Sequence, residues 1–289
     1  MSWQAIQQHM QELMQVFDKC YITERLKPTT ANGYRVNIRC HILPYIGETM
    51  VDDIGLFTLE ELTDTLRAKG LSNKTIVYVH ATFRKALNFA LRRREILWNP
   101  YELYDLPKIE QYKYKTLNAS QIQKLLDGVQ GQEIERYIRL AVCYGLRRGE
   151  ILGILPGDYD ETTGVLHVQR TRTAVNGRPV ITTCKTKKSN RYVLIAKEDE
   201  PHVLLRVFPW TPTKLDTEFK RALAANGLPK DIRFHDLRHS YATWMLSKEV
   251  NPKIVSEVLG HSSVKVTLDI YSHANTSMQI SCLNAMGKE

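Results

Sequence analysis

The amino-acid sequence predicts a mainly α-helical protein with one small antiparallel β-sheet, divided into two domains. Three observations lead to this prediction. The 289 residues exceed the usual size of a single domain. Apolar residues recur at three- and four-residue spacings through much of the chain, as on the buried face of a helix. Asn176-Gly177 lies between two β-rich runs, which is the strongest local signal for a hairpin.

Residues 1–105 are predicted to form a helical domain. Lys27-Pro28 has the character of a helix start, because proline fits the first turn of a helix. A later helix is expected to begin near Thr58. The stretch 73–96 then has the pattern of an amphipathic helix, with its apolar positions at Ile76, Val79, Phe83, Leu87, Ala90 and Leu91.

Residues 106–116 are rich in charge and lack periodicity, so we expect an interdomain linker there. A second domain is predicted over 117–289, with Asn118 as the N-cap of its first helix. Three short strands are expected within 163–195, separated by the Asn176-Gly177 turn and by a lysine-rich turn at 185–190. After Pro212 the pattern is helical again.

The charge balance favours a polyanionic partner. The formal net charge is +9, and it is unevenly distributed. Residues 1–110 carry 14 Lys and Arg against 13 Asp and Glu, whereas residues 111–289 carry 26 against 18. A basic excess of this size points to nucleic acid first and to an anionic membrane surface second, although solubility alone also accounts for it.

Cysteine usage and hydropathy indicate a soluble protein of the cytoplasm. The five cysteines are scattered and form no C-x-x-C pair, which argues against a disulfide framework and a structural zinc site. They are Cys20, Cys40, Cys143, Cys184 and Cys282. No secretory signal pattern opens the sequence, and no apolar run approaches the roughly 18 residues that span a bilayer.

Four stretches carry candidate chemistry. They are YGLRRGEILGI at 144–154, the lysine turn CKTKKSNRY, FHDLRHSYATWML at 234–246 and LGHSSVKVTLDIYSH at 259–273. Each has an ordinary structural explanation when taken alone. Arginine pairs and turn lysines usually face solvent, and a tyrosine in an apolar pattern usually packs. A metal site at His235 and His239 is disfavoured, because Asp236 replaces the glutamate of H-E-x-x-H and no third ligand is evident.

The order of these stretches resembles the tyrosine recombinase (phage integrase) family. The matching active-site positions are Arg147, Lys185, His235, Arg238, His261 and Tyr271. The stretch KPTTANGYRVNIRCHILPYIG is also similar to the helical core-binding domain of that family. The resemblance therefore covers nearly the whole chain and implies a core-type DNA-binding domain followed by an α+β catalytic domain. Arg148 adjoins Arg147, and Lys187 and Lys188 share the turn of Lys185. The family register selects Arg147 and Lys185 from these.

The resemblance also implies a mechanism. Tyr271 would attack a DNA phosphodiester to give a 3′-phosphotyrosine, with neither ATP, metal nor any other cofactor. Arg147 and Arg238 would hold the non-bridging oxygens. His235 would assist deprotonation of the tyrosine, His261 would hydrogen-bond the phosphate, and Lys185 would supply the leaving-group proton.

The expected partners follow from the same resemblance. They are double-stranded DNA attachment or recombination sites, a homotetramer assembled on two such sites, and an excisionase or DNA-bending protein. No membrane is expected to take part, and the location would be cytoplasmic and nucleoid-associated. Two alternatives are a type IB topoisomerase that relaxes DNA and a non-catalytic DNA-binding regulator on the same scaffold. The regulator would be expected to lack a catalytic side chain, and none is missing here.

Overall fold

A computed structural model describes residues 8–110, 115–183, 187–204, 207–261 and 263–271, with the backbone alone at 187, 270 and 271. The chain divides into two compact units, Met1–Tyr112 and Lys113–Glu289. The expected linker, 106–116, spans this division. The described part is mainly helical with small antiparallel sheets, as the sequence predicts. None of its helices has the length and apolar character needed to cross a bilayer.

The first unit is built from helices. Its α-helices are α1 (Met10–Phe17), α2 (Thr23–Arg25), α3 (Pro28–Asn37), α4 (Leu43–Ile46), α5 (Leu56–Ala68) and α6 (Asn73–Arg92). Pro28 is the first residue of α3, so the predicted helix start is confirmed. Helix α5 begins two residues before the expected Thr58. π-Helical turns at Asp18–Ile22 and Ile38–Ile42 join α1 to α2 and α3 to α4.

A hydrogen-bonded polar group lies inside the apolar core of the first unit. His80 on α6 is fully buried, and its two ring nitrogens contact the hydroxyls of Thr63 at 2.8 Å and Tyr101 at 2.6 Å. Burial lowers the pKa of His80 to about 4. The imidazole is therefore neutral at pH 7 and belongs to the core.

In the part that the structure describes, the second unit combines helices with five short strands. Its helices are α7 (Ala119–Gly128), α8 (Glu135–Val142), α9 (Arg148–Leu152), α10 (Pro212–Ala225), α11 (Asp236–Ser247), α12 (Pro252–Leu259) and α13 (Val264–Tyr271). Asn118 is the N-cap of α7, as predicted. Its Oδ1 accepts from the amide of Gln121 at 2.9 Å, and the Gln121 side chain accepts from the amide of Asn118 at 3.0 Å.

The strands form two antiparallel sheets. Strands β1 (Tyr159–Asp160), β2 (Val165–Val168) and β5 (Arg191–Leu194) form one sheet, and β3 (Arg170–Val175) pairs with β4 (Arg178–Thr183) in the other. The sequence predicts a single sheet of three strands, so the division into two is a difference. The chain leaves the first sheet at Gln169, whose side-chain amide donates to Asp158 at 2.8 Å.

The predicted hairpin turn is confirmed. Val175 pairs with Arg178 across Asn176 and Gly177, which have φ angles of 51° and 77°. Both residues thus adopt the left-handed backbone that a two-residue hairpin turn requires.

Helix α9 lies directly against strand β3. A Cβ atom at Gly153 would come within 3.1 Å of the carbonyl oxygen of Arg170 and 3.2 Å of the amide nitrogen of Arg172. A larger residue would separate the helix from the strand. This contact holds α9, which begins immediately after Arg147, against the strand.

Candidate active site

Arg147 lies at the start of α9, after a turn that requires glycine. Gly145 has a φ of 65°, and a Cβ there would meet side-chain atoms of Leu259 at 2.4 Å and Tyr241 at 2.8 Å. The Arg147 guanidinium donates to the Glu150 carboxylate at 2.6 Å and to the carbonyl oxygen of Gly260 at 3.0 Å. Both partners hold the guanidinium at the end of α12.

Arg238 comes from the first turns of α11 and points to the same place. Its side chain is 2% exposed, and its guanidinium donates to the carbonyl oxygens of Gly145 and Leu259, each at 2.6 Å. Burial and the charge of Arg147 lower the pKa of Arg238. A guanidinium begins from so high a pKa that it remains charged. Two arginines 91 positions apart in sequence thus bind neighbouring carbonyls, those of residues 259 and 260.

His261 follows those two carbonyls. Gly260 ends α12 with a φ of 64°, the left-handed conformation that lets the chain turn sharply. The His261 ring is buried, and its Nδ1 lies 2.8 Å from the hydroxyl of Thr267, which is itself fully buried in α13. Burial, followed by the positive charges of Arg238 and Arg147, lowers the pKa of His261 to about 3. The ring is therefore neutral at physiological pH.

His235 immediately precedes α11. It is an exposed residue, although nearby protein atoms still remove part of the water around its imidazole. This partial burial lowers its pKa, and the charges of Arg238 and Arg147 lower it further. His239 lies one turn later, with its ring centroid 5.0 Å from that of His235. Among the residues described, no three metal-ligating side chains gather.

Two supporting residues, Glu150 and Arg191, were not predicted from the sequence. The Glu150 carboxylate is 1% exposed and accepts a hydrogen bond from Arg147. It also accepts one from each of the two terminal nitrogens of Arg191, both at 3.1 Å. Burial raises the pKa of Glu150, but Arg191 and Arg147 outweigh it and hold the pKa below its usual value. Arg191 also donates to the carbonyl oxygen of Val258 at 2.5 Å, so it ties β5 to the end of α12.

A signal for Glu150 does exist in the sequence. Glutamate three residues after a helix-capping position can accept from the capping residue's amide, and Glu150 accepts from that of Arg147 at 2.9 Å. Arg191 had no comparable signal, because its pairing with Glu150 joins positions 41 residues apart.

Two features of the sequence analysis remain, namely Arg148, the alternative to Arg147, and the lysine turn that holds the predicted Lys185. Arg148 turns away from Glu150 and forms an ion pair with Asp216 on α10. Lys185 lies outside the described residues. The carbonyl oxygen of Lys188 is 2.9 Å from the position that a Cβ of Gly260 would occupy, so part of this turn lies beside the arginines.

Tyr271 is the last residue of α13, and its backbone alone is described. Helix α13 packs against α11 and α12, the helices that carry Arg238 and end before His261. The structure therefore brings together Arg147, Arg238, His235 and His261. It also places the helix that ends at Tyr271 against them.

Comparison with known proteins gives the class. The profile described as the phage integrase family matches residues 115–278, and that of its N-terminal SAM-like domain matches residues 10–56. A tyrosine recombinase XerC of Alcanivorax borkumensis is 27% identical over 261 residues, covering 86% of this chain and 84% of the relative. The ICEBs1 integrase of Bacillus subtilis is 26% identical over 283 residues, covering 88% and 76%.

Solved structures share the fold. The Tn1549 transposon integrase in complex with transposon right end DNA has a TM-score of 0.80 at 21% identity, covering 97% of this chain and 100% of that one. A lambda integrase tetramer bound to a Holliday junction has a TM-score of 0.72 at 18% identity, covering 92% and 78%.

The family match and the named relatives thus define a tyrosine-type site-specific recombinase. The chain belongs to the phage integrase family, whose profile spans more than half of its length.

Proposed function

We propose that the chain cuts and rejoins double-stranded DNA at recombination sites, with Tyr271 as the nucleophile. One observation supports this most strongly. Arg147 and Arg238 bind the adjacent carbonyls of Leu259 and Gly260, directly before His261. Side chains from three distant segments therefore meet where a phosphate needs positive charge and hydrogen-bond donors.

The proposed cleavage step replaces one ester bond to phosphorus by another. The Tyr271 oxygen forms a bond to phosphorus while the bond from phosphorus to the 5′-oxygen breaks, leaving a 3′-phosphotyrosine and a free 5′-hydroxyl. His235 accepts the phenolic proton, which its lowered pKa permits because the ring is neutral at pH 7. Arg147 and Arg238 stabilise the charge on the non-bridging oxygens.

His261 is proposed to donate a hydrogen bond to the same phosphate. A neutral imidazole has one N–H, so its tautomer decides what it can do. If the Thr267 hydroxyl donates to Nδ1, the proton resides on Nε2 and that nitrogen is a donor. Thr267 would thus fix the tautomer that the reaction requires.

Lys185 is proposed as the general acid that protonates the departing 5′-oxygen. Support comes from the position of Lys188, since its carbonyl lies against Gly260 and brings this turn to the arginine cluster. Lys187 and Lys188 share the turn and are the alternatives that a substitution series separates.

The proposed partners are attachment or recombination sites in double-stranded DNA and three further copies of this chain. The net charge of +9 suits DNA, and the lambda integrase relative by fold is described as a tetramer on a Holliday junction. We also propose an excisionase or a DNA-bending protein as an accessory partner. A DNA substrate places the enzyme in the cytoplasm at the nucleoid, where the described cysteines Cys20, Cys40 and Cys143 remain free thiols.

Covalent capture tests the proposal. A nicked duplex that loses its 5′-hydroxyl fragment after cleavage should trap the protein on the 3′ end. Tyr271→Phe should abolish trapping and leave DNA affinity nearly unchanged, because the hydroxyl acts in chemistry rather than in holding the duplex. Adduct formation by the phenylalanine variant would refute the assignment. Relaxation of supercoiled DNA without exchange between two sites would instead favour a topoisomerase.

A further inference from the structure

An open cavity of about 510 Å³ adjoins the candidate active site within the second unit. Arg147 and His235 line one part of it. The other lining residues lie between the start of α9, helix α10 and the segment before α11, and four of them are charged: Arg148, Arg233, Lys220 and Asp216. The reaction described above uses Arg147 and His235 and leaves these four charged residues without a role.

Arg148 pairs with a carboxylate that another anion can displace. Its guanidinium pairs with Asp216, and the two side chains are 40% and 47% exposed. An ion pair that exposed contributes at most about 1 kcal/mol, because water and salt screen it. A phosphodiester accepts two parallel hydrogen bonds from a guanidinium and can displace such a carboxylate.

Arg233 is anchored more firmly. It donates to the carboxylate of Asp236, which is fully buried, at 3.0 Å, and its own side chain is 54% exposed. The buried carboxylate therefore orients a guanidinium whose outer part faces solvent. Lys220 differs, since its ammonium donates to the carbonyl oxygens of Lys230 at 2.5 Å and Ile232 at 2.7 Å. It fixes the segment that carries Arg233 and adds its charge to the cavity.

We propose that Arg148 and Arg233 form a binding subsite for a second DNA phosphodiester, adjacent to the one that Arg147 and Arg238 hold. Asp216 is the counter-ion that this phosphate displaces from Arg148. The inference rests on the proposed function, because it takes the bound polyanion to be DNA. The subsite fixes the strand next to the reacting phosphorus and does not take part in bond breaking.

The salt dependence of DNA affinity tests the subsite. The logarithm of the association constant for a labelled duplex of arbitrary sequence is measured against the logarithm of salt concentration, for the full chain. Each phosphate contact contributes about −0.9 to that slope. Arg148→Gln should therefore weaken binding at low salt and make the slope shallower by about one.

Asp216→Asn gives the opposite change. It releases Arg148 and removes a negative charge, so affinity should rise several-fold. Within the Arg148→Gln background most of this gain should vanish, because the two effects share one ion pair. Arg221→Gln is the matched control. Arg221 is an exposed arginine on α10, the helix that also carries Asp216. It pairs with Glu218 and does not line the cavity, so its substitution should leave the slope unchanged.

The outcomes separate the two proposals. A wild-type chain that binds DNA with a steep salt dependence, while Arg148→Gln retains the full slope, overturns the subsite alone. The subsite is also overturned if Asp216→Asn raises DNA affinity equally in the Arg148→Gln background, since the long-range effect of the lost negative charge then accounts for the rise. A wild-type chain with no salt-dependent DNA binding overturns the proposed function and the subsite together.

Discussion

Thr267→Val isolates the role of the hydroxyl beside His261. Valine keeps the shape of threonine and removes the hydroxyl that lies 2.8 Å from Nδ1, which we propose donates a hydrogen bond to that nitrogen. The site is fully buried at Thr267 and nearly so at His261, so water cannot replace the lost contact. The ring is then free to place its proton on Nδ1, which leaves an acceptor on Nε2 facing the phosphate.

The size of the effect follows from the value of one hydrogen bond. A neutral hydrogen bond contributes roughly 0.5–1.5 kcal/mol net. If it selects the tautomer, its loss slows cleavage by about 2- to 12-fold, since 1.36 kcal/mol corresponds to tenfold in rate. The pKa of His261 is about 3, so the imidazole stays neutral and the deficit should be constant between about pH 5 and pH 8.

The assay is single-turnover cleavage of the nicked duplex, with thermal unfolding measured in parallel. Thr267→Ser restores the donor without the methyl group and should recover most of the rate. A merely structural role predicts instead that serine and valine lower the melting temperature and the rate in proportion. The reasoning is refuted if valine cleaves as fast as the wild type, or if serine is as slow as valine.

Three further predictions concern other parts of the chain. Lys185→Ala should cleave the normal substrate about 10²–10⁴-fold more slowly yet recover on DNA with a bridging 5′-sulfur, because a thiolate leaves without a proton; equal defects on both substrates would contradict this. As pH falls from about 6.5 to 4, the unfolded chain protonates His80 while the fold keeps it neutral. The free energy of unfolding, measured by urea titration, should therefore drop by up to about 3 kcal/mol over this pH range. His80→Gln should remove part of that pH dependence. Deletion of 276–289, which lie outside the described residues, should impair synapsis in a two-site recombination assay more than binding to one site. Full recombination by the truncated chain would count against a role for these residues in synapsis.

Local signals predicted much of the fold. Asn176-Gly177 determines its hairpin because both residues tolerate the left-handed backbone of the turn, whatever surrounds them. Asn118 likewise caps its helix through contacts within three residues. The division into two sheets was not predictable in the same way, since it depends on where Gln169 and Asp158 meet in the folded chain.

The site also combines residues that local sequence signals predict with residues that act through contacts between distant segments. Arg147, Arg238 and His261 lie in short sequence motifs that can be recognised without a structure. Glu150 and Arg191 act through a buried ion pair that exists only once β5 lies beside α9. Burial alternates along β5 in the folded chain and places Arg191 inward, but the residue types of RYVL do not reveal this, nor which charge meets the arginine.

The charges of this buried cluster explain why a phosphate would complete it. The charges of Arg147 and Arg191 both act on the guanidinium of Arg238, and all three arginines act on the Glu150 carboxylate. One negative charge among three positive ones leaves an excess that burial makes unfavourable. Backbone carbonyls offset part of it by accepting hydrogen bonds from each arginine, and these contacts also fix the positions of the guanidiniums. If this cluster binds DNA as proposed, a phosphodiester would supply the missing negative charge. A pentacoordinate phosphorus would supply more, so the same arrangement would favour the transition state over the ground state.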